Sequence, residues 1–344
     1  MKRALGMAEP LLKNGWHVSI IALDCEENKK RVEIEAPNVA VYYFREGGTF
    51  SEIKQKATIL KQIRPDVVWV CALVARNFIF KRRYKVFVEH SELSSAIPDN
   101  KGVEKIFTKF LESFSIQYDG LICASRYLQN YYNKKTNKPI LYSPYAYTEK
   151  VVNMPVDKIL EDLQQLNKGR FVFVYMGTLT RNYGLFTMLE AAKILADEHI
   201  NFTLYLLGRG RDYENAKNFV QTNNLGDYIV ISGYIEEEYL NTYFTLANVF
   251  ISPLNDTIQD WARCPSKIYM FLPYRKPILT CKIGEPHEIF KENGCYFDNN
   301  SPASLANLMK TAMDNNCSFQ IINALDHSWT LRAKSFIQWY KENF

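Results

Sequence analysis

Residues that hold metals or form disulfides are few and dispersed in this chain. The seven cysteines, Cys25, Cys71, Cys123, Cys264, Cys281, Cys295 and Cys317, stand singly, with no CxxC pair. The five histidines are equally scattered. That distribution argues against a zinc site or a disulfide framework and suits a reducing compartment. No metal-ligand set is visible, so metal catalysis is not expected. Also missing is any run near the roughly 18 apolar residues that span a bilayer. The first residues, MKRALGMAEPLLKNG, read as a helix polar on one side and not as a cleavable signal. A soluble, cytoplasmic protein is expected. There is no fixed-period repeat and no low-complexity tract.

What is present is ample core material. The chain has 344 residues, 47% hydrophobic and 14% aromatic. Such a composition excludes disorder, and such a length exceeds what one core usually spans, so two domains are expected. The net charge of +5 conceals an asymmetry. Residues 1–150 carry 24 Lys and Arg against 16 Asp and Glu, while the remainder carries 18 against 21. A basic half suits an anionic acceptor or lipid. Nucleic acid is not expected, because the positive charge is not interleaved with aromatics along one groove or helix.

Short apolar runs alternate with helical patterns. WHVSIIAL, DVVWVCAL, KVFVEH and GLICAS occupy the first half; RFVFVYMG, FTLYLLG, YIVISG, VFISPL and KPILTC occupy the second. Continuous β-branched and aromatic runs joined by helices imply parallel strands buried on both faces, hence two doubly wound α/β halves. Helices are expected over Ser51–Ile63 and near Val103–Tyr118. The opening is unusual, since the first element, Lys2–Asn14, is a helix closed by Gly15 and not a strand. A strand and its loop are expected to be missing from the front, either because the reading frame begins late or because the lobe is one strand short. The last segment, HSWTLRAKSFIQWYKENF, repeats apolar residues every three or four positions and needs a surface to cover.

Strand-to-glycine junctions are where doubly wound folds bind ligands, because the following helix presents unpaired N–H groups and a positive dipole end. Four such junctions occur in the second half: Gly177-Thr178, Gly208-Arg209-Gly210, Gly233-Tyr234, and Pro265-Ser266-Lys267, where proline suits a first helical turn. Together they suggest a phosphate-binding crevice. Gly208-Arg209-Gly210 lacks the third glycine of a dinucleotide fingerprint, so an NAD site is disfavoured. In the first half, VFVEHSEL places Glu89, His90 and Glu92 at the end of a strand, where side chains are expected to enter a cleft. A neighbouring carboxylate would raise the pKa of His90.

The ordered set FVYMGTLTRNYGLFTMLEAAKIL, FTLYLLGRGRDYENA, DYIVISGYIEEEYLNTYFTLANVFISPL and CPSKIYMFLPYRKPILTCKIGEPHEIF resembles the donor lobe of family 4 (group 1) glycosyltransferases. KRALGMAEPLLKNGWHVSIIAL and YDGLICASRYLQNYY resemble parts of their acceptor lobe. The resemblance implies a GT-B fold, two doubly wound Rossmann-like domains facing a central cleft. The expected boundaries are 1–148 for acceptor binding, 149–168 as linker and 169–328 for the donor, with 329–344 crossing back to the first domain.

The implied activity is retaining transfer of a sugar from a nucleotide sugar, a UDP- or GDP-sugar, with no cofactor and no required metal. The implied acceptor is a glycan or a lipid-linked group in surface polysaccharide synthesis. By the same resemblance Gly177 and Thr178 lie near the diphosphate, and Arg181 supplies positive charge. Lys267 and Ser266 meet phosphate oxygens, and Tyr234 and Ile235 flank the nucleobase. His90 matches a histidine that meets donor sugar or acceptor, and Glu92 is placed as an acceptor-side base. The aromatic and basic segment Phe78–Lys85 is expected to touch anionic lipid at the inner face of the membrane.

The chain departs from the family at two acidic positions, which fall at Ala262 and Met270. The acid at the second position holds ribose hydroxyls, and a thioether sulfur is a weak acceptor. Asp256 or Asp260 could replace that grip. Three readings stay open: a working transferase, a degenerate GT-B protein that binds sugar or a partner, or a nucleotide-sugar epimerase of the same fold.

Overall fold

The computed structural model describes residues 1–79, 83–98, 100–147, 157–314 and 321–344. The chain divides into two compact units: Met1–Lys150 with Trp261–Cys264 and Leu325–Phe344, and Val151–Asp260 with Pro265–Ala324.

The first unit begins with helix α1 (Lys2–Lys13), followed by β1 (Ser19–Leu23), α2 (Glu26–Glu35), β2 (Ala40–Phe44) and α3 (Thr49–Ile63). Then come β3 (Val67–Val70), β4 (Lys85–His90), α4 (Gly102–Ser115), β5 (Gly120–Cys123), α5 (Arg126–Asn133) and β6 (Ile140–Tyr142). All described pairings are parallel, but the strands form two separate sheets, β1–β2 and β3–β4–β5–β6. No pairing joins β1 to β3 among the described residues. The interior strands β4 and β5 are buried almost throughout, whereas β3 keeps Val67, Val68 and Trp69 half-buried.

Helix α1 packs beside both pieces. Leu5 and Ala8 join Ile20 and Ala22 of β1, while Met7 and Leu11 join Phe87 of β4 and Ile122 of β5. Gly15 closes α1 with φ +84°.

The second unit runs α6 (Asp157–Leu166), β7 (Phe171–Met176), α7 (Leu185–Asp197), β8 (Phe202–Leu207), α8 (Tyr213–Thr222), β9 (Ile229–Gly233) and α9 (Glu237–Leu246). It continues with β10 (Val249–Ser252), α10 (Ile258–Ala262), α11 (Ser266–Phe271), β11 (Ile278–Thr280), α12 (Gly284–Phe290), β12 (Cys295–Tyr296) and α13 (Pro302–Met313). Of α10, Trp261 and Ala262 count with the first unit. The six strands are parallel in the order β12-β11-β10-β7-β8-β9. The chain winds outward from β7 through β8 to β9, then returns to β10 on the other side of β7. Such a reversal opens a crevice beyond the carboxyl ends of the two central strands, and ligands of doubly wound folds bind there.

The segment expected as a linker over 149–168 is not plain connection. Residues 149–156 lie outside the described set, and the rest carries α6, after which Asn167 donates to the Tyr205 hydroxyl at 2.8 Å. The last helix, α14 (Trp329–Asn343), counts with the first unit. Its Trp329, Phe336 and Trp339 share a core with Phe87 and Ile122. Gly6 of α1 faces the Trp329 indole so closely that a Cβ there would overlap the ring. The two helices meet at that contact.

Candidate functional site

The site of the second unit is built at the carboxyl ends of β7, β8 and β10. Backbone bonds join the loops: Gly177 N–H donates to Leu207 O (2.9 Å), Gly208 N–H to Gly233 O (2.7 Å), and Leu179 N–H to Arg209 O (3.1 Å). At Gly208, φ is +144° and a Cβ would strike the Gly177 carbonyl, so this crossing of backbones requires glycine. Gly210 lies equally close to the backbone of Leu179.

Lys267, the second residue of α11, reaches back over β7. Its Nζ sits 4.0 Å from the centre of the Tyr175 ring and 2.9 Å from where a Cβ on Gly177 would lie. The Tyr175 hydroxyl donates to Thr178 O at 3.0 Å. A cation is therefore held on an aromatic face beside the glycine turn at the centre of the sheet. Ser266, just before it in the chain, and Thr178, just after Gly177, are exposed, and Met270 is half-buried one helical turn on.

Asp212 holds the following loop. Its Oδ2 accepts from Arg181 N–H at 2.8 Å and Oδ1 from Asn215 at 3.1 Å. Those bonds, the Arg181 N–H first, lower its pKa. Asn255, after β10, donates to Asn182 O at 2.7 Å and ties the loops of the two central strands. The Arg181 guanidinium lies 4.4 Å from the Phe186 ring. Arg209 lies 5.6 Å from the Tyr213 ring and beside Gly233. Tyr234 is 68% exposed, and Ile235 is half-buried. Three cationic side chains thus decorate the loops of one sheet edge. Asp212 and Tyr175 were not singled out from sequence, since an acid at a helix start and a tyrosine in a strand carry no distinguishing pattern.

One of the two acidic substitutes is consumed by the interior. Asp260 is fully buried, its Oδ2 accepting from Asn255 N–H at 2.5 Å, so it caps a loop and cannot replace the ribose grip; Asp256 is exposed. Ala262 is fully buried among Val88, Leu121 and Leu128, and its carbonyl accepts from Ser125 Oγ at 2.6 Å. That position serves the core of the first unit.

The strand-end trio of the first unit corrects the expected orientation. Glu89 and His90 are 3% and 2% exposed and do not project into an opening. Successive side chains leave a strand on opposite faces, and β4 is covered on both. On one face Glu89 Oε1 meets Arg3 Nε at 2.5 Å and Oε2 accepts from Trp69 Nε1 at 3.0 Å. Burial raises the Glu89 pKa, opposed by the Arg3 guanidinium.

On the other face His90 Nε2 lies 2.9 Å from Ser115 Oγ, Nδ1 lies 3.0 Å from the Tyr132 hydroxyl, and the ring packs on Tyr132 at 4.3 Å. Ser115 donates its own proton to Glu112 O at 2.6 Å. Its oxygen is left to accept, which assigns the His90 proton to Nε2 and makes Tyr132 the donor to Nδ1. The expected upward pKa shift is reversed, for burial lowers it to about 3. Of the three, only Glu92 keeps access. It is half-buried, with burial raising its pKa and the Arg263 charge opposing.

Among the described residues no group of three His, Cys, Asp or Glu is arranged to hold a metal ion. No described helix is long and apolar enough to cross a membrane. Of the segment expected at a membrane, Phe80, Lys81 and Arg82 lie outside the described residues.

Two units of parallel strands flanked by helices, the second with its switch point lined by glycine and lysine, have the architecture of the GT-B fold. The family model of group 1 glycosyl transferases matches residues 158–334, just over half the chain, and the protein belongs to that family. No curated protein matches it by sequence. Solved structures match over almost the whole length. Sucrose-phosphate synthase from Thermosynechococcus elongatus superposes with a TM-score of 0.78 at 16% identity, over 99% of this chain and 92% of that one. A glycosyltransferase from Rickettsia africae gives 0.76 at 15%, over 99% and 94%. HepE from Anabaena, in complex with UDP and glucose, gives 0.74 at 12%, over 98% and 96%.

Proposed function

We propose that the protein transfers a sugar, with retention at the anomeric carbon, from a nucleoside diphosphate sugar held by its second unit. The acceptor is a glycan or lipid-linked group held by the first, in surface polysaccharide synthesis on the cytoplasmic side of the membrane. The observation that carries the donor half is Lys267, seated on Tyr175 beside Gly177 at the sheet's switch point. A departing nucleoside diphosphate gains negative charge, and a fixed cation with oriented N–H groups stabilises that charge where it develops. Arg181 and Arg209 add positive charge on the adjoining loops, and exposed Tyr234 offers a ring to the base. HepE, solved with UDP, supports a uridine donor. Net basicity of the first 150 residues supports an anionic acceptor. Glu92, which keeps access and whose pKa burial raises against the Arg263 charge, is read as the base toward an acceptor hydroxyl.

Calorimetric titration with UDP and GDP tests the donor half. The chain is expected to bind at least one of them, and Lys267→Ala is expected to weaken that binding by roughly 1.5–3 kcal/mol, the scale of a hydrogen bond to a charged group. Equal affinity in the variant would remove the role assigned to Lys267.

A second reading, a degenerate GT-B protein that binds without transferring, is favoured by Met270 in place of a ribose-holding acid. Binding of UDP without release of sugar from any nucleotide sugar tested would support it.

A further inference from the structure

Asp212 occupies the N-cap position of α8, where an aspartate ordinarily accepts from the first backbone N–H groups of its own helix. Here the side chain makes no such bond. Oδ2 instead turns back 31 residues and accepts from the N–H of Arg181 at 2.8 Å, while Oδ1 accepts from the Asn215 side chain at 3.1 Å. A helix that goes without its best cap is weaker for it, so the reach of this carboxylate to another loop answers a different need.

That loop, residues 177–184 between β7 and α7, carries the groups assigned to the diphosphate. Leu179 N–H donates to Arg209 O and Asp212 N–H to Leu179 O, both at 3.1 Å. Residue 212 thus grips the loop twice, once with its own N–H and once with its carboxylate. The carboxylate engages only the backbone of Arg181. The Arg181 guanidinium rests on the Phe186 ring at 4.4 Å, the residue is exposed, and no carboxylate among the described residues pairs with it. Its charge is therefore left for a ligand. The bond from Arg181 N–H, first among the causes, lowers the Asp212 pKa, so the group is charged while it holds the loop.

We propose that Asp212 is a positioning residue for the donor, fixing the backbone at Arg181 so that the guanidinium stands ready for the departing nucleoside diphosphate. It touches neither nucleotide nor sugar and acts through Arg181. An arginine side chain turns about several bonds, and a charge stabilises a leaving group best when it is oriented beforehand. Holding the backbone removes part of that freedom before the ligand arrives. The role rests on the donor reading given above.

Calorimetric titration of the full chain with UDP and GDP, on the parent and a set of variants, is the test. Serine is a good N-cap with a side chain one bond shorter, so Asp212→Ser keeps α8 capped and loses the reach to Arg181. It is expected to weaken nucleotide binding about tenfold, the scale of one hydrogen bond to a charged group, with the urea midpoint unchanged. Asp212→Asn, whose amide oxygen still accepts from Arg181 N–H, should recover most of that loss. Added to Arg181→Ala, the serine change should cost about twofold or less, because the group it positions is gone. Equal binding by the parent and Asp212→Ser would overturn the role of Asp212 alone. So would Asp212→Asn as weak as the serine variant, or a full tenfold loss on top of Arg181→Ala, since Asp212 would then act by its charge or through another group. A parent chain that binds neither nucleotide would overturn the donor reading itself.

Discussion

Met270 is where the chemistry of one side chain separates a full donor grip from a weakened one. It is half-buried one turn beyond Lys267, and its sulfur offers a ribose hydroxyl little. Met270→Glu is expected to tighten UDP binding several-fold, and a loss of affinity by calorimetry would show that the position only fills space.

His90 shows the opposite outcome, a polar residue consumed by the interior. Its folded pKa of about 3 lies below the ordinary 6.5. As pH falls through 6.5 the unfolded chain takes up a proton that the folded chain refuses. The stability this histidine contributes is full above 6.5 and is lost progressively toward pH 3. At pH 5 the loss amounts to about 2 kcal/mol, at about 1.4 kcal/mol per pH unit. His327, lowered to about 4 by burial first and by Arg332, acts with the same sign. Urea unfolding at several pH values should therefore give a slope flatter by close to one proton in His90→Phe than in the parent between pH 4.5 and 6.5. An unaltered slope would mean that His90 titrates normally in the fold.

At the scale of elements, what could be read from sequence was what burial on both faces dictates. Continuous runs such as FVFVY and FTLYLL have no alternative but a central parallel strand, and they became β7 and β8. Strand β2, AVYYF, and helix α2 were not read, since α2 buries none of its residues and leaves no apolar stripe to detect. The approach of Lys267 to the glycine turn followed from element order. The direction of His90 did not, because a strand end reads alike whether a helix covers it or solvent does. In α4 the apolar spacing reads as core, and only the packed structure shows that face uncovered.

Helix α14 supplies Trp329, Ala333, Phe336 and Trp339 to the core of the first unit. Phe336 is 2% exposed and its ring meets Trp16, Trp69 and Phe87 at 5.5, 5.0 and 6.1 Å. Phe336→Ala is expected to destabilise the first unit by about 3–5 kcal/mol through lost burial and the cavity left behind, and Phe336→Leu by much less. Denaturant midpoints that scarcely differ between the alanine variant and the parent would show that α14 adds little to that core.

For the molecule as a whole, the division into two units means that a ligand confined to one of them stabilises unequally. Binding to the folded form alone adds RT ln(1 + [L]/Kd), about 2.7 kcal/mol at a hundredfold excess over Kd. The residues proposed to hold the nucleotide, Gly177, Arg209, Tyr234 and Lys267, all belong to the second unit, while the α14 core belongs wholly to the first. Saturating UDP should therefore slow hydrogen exchange chiefly over 171–280, through β7 to β11, and leave Phe87, Ile122 and the α14 segment little changed. The same experiment on Lys267→Ala, at the UDP concentration that saturates the parent, should lose most of that protection. Protection spread evenly over both units would place nucleotide contacts in the first unit as well, and the assignment of the donor to the second unit alone would fail.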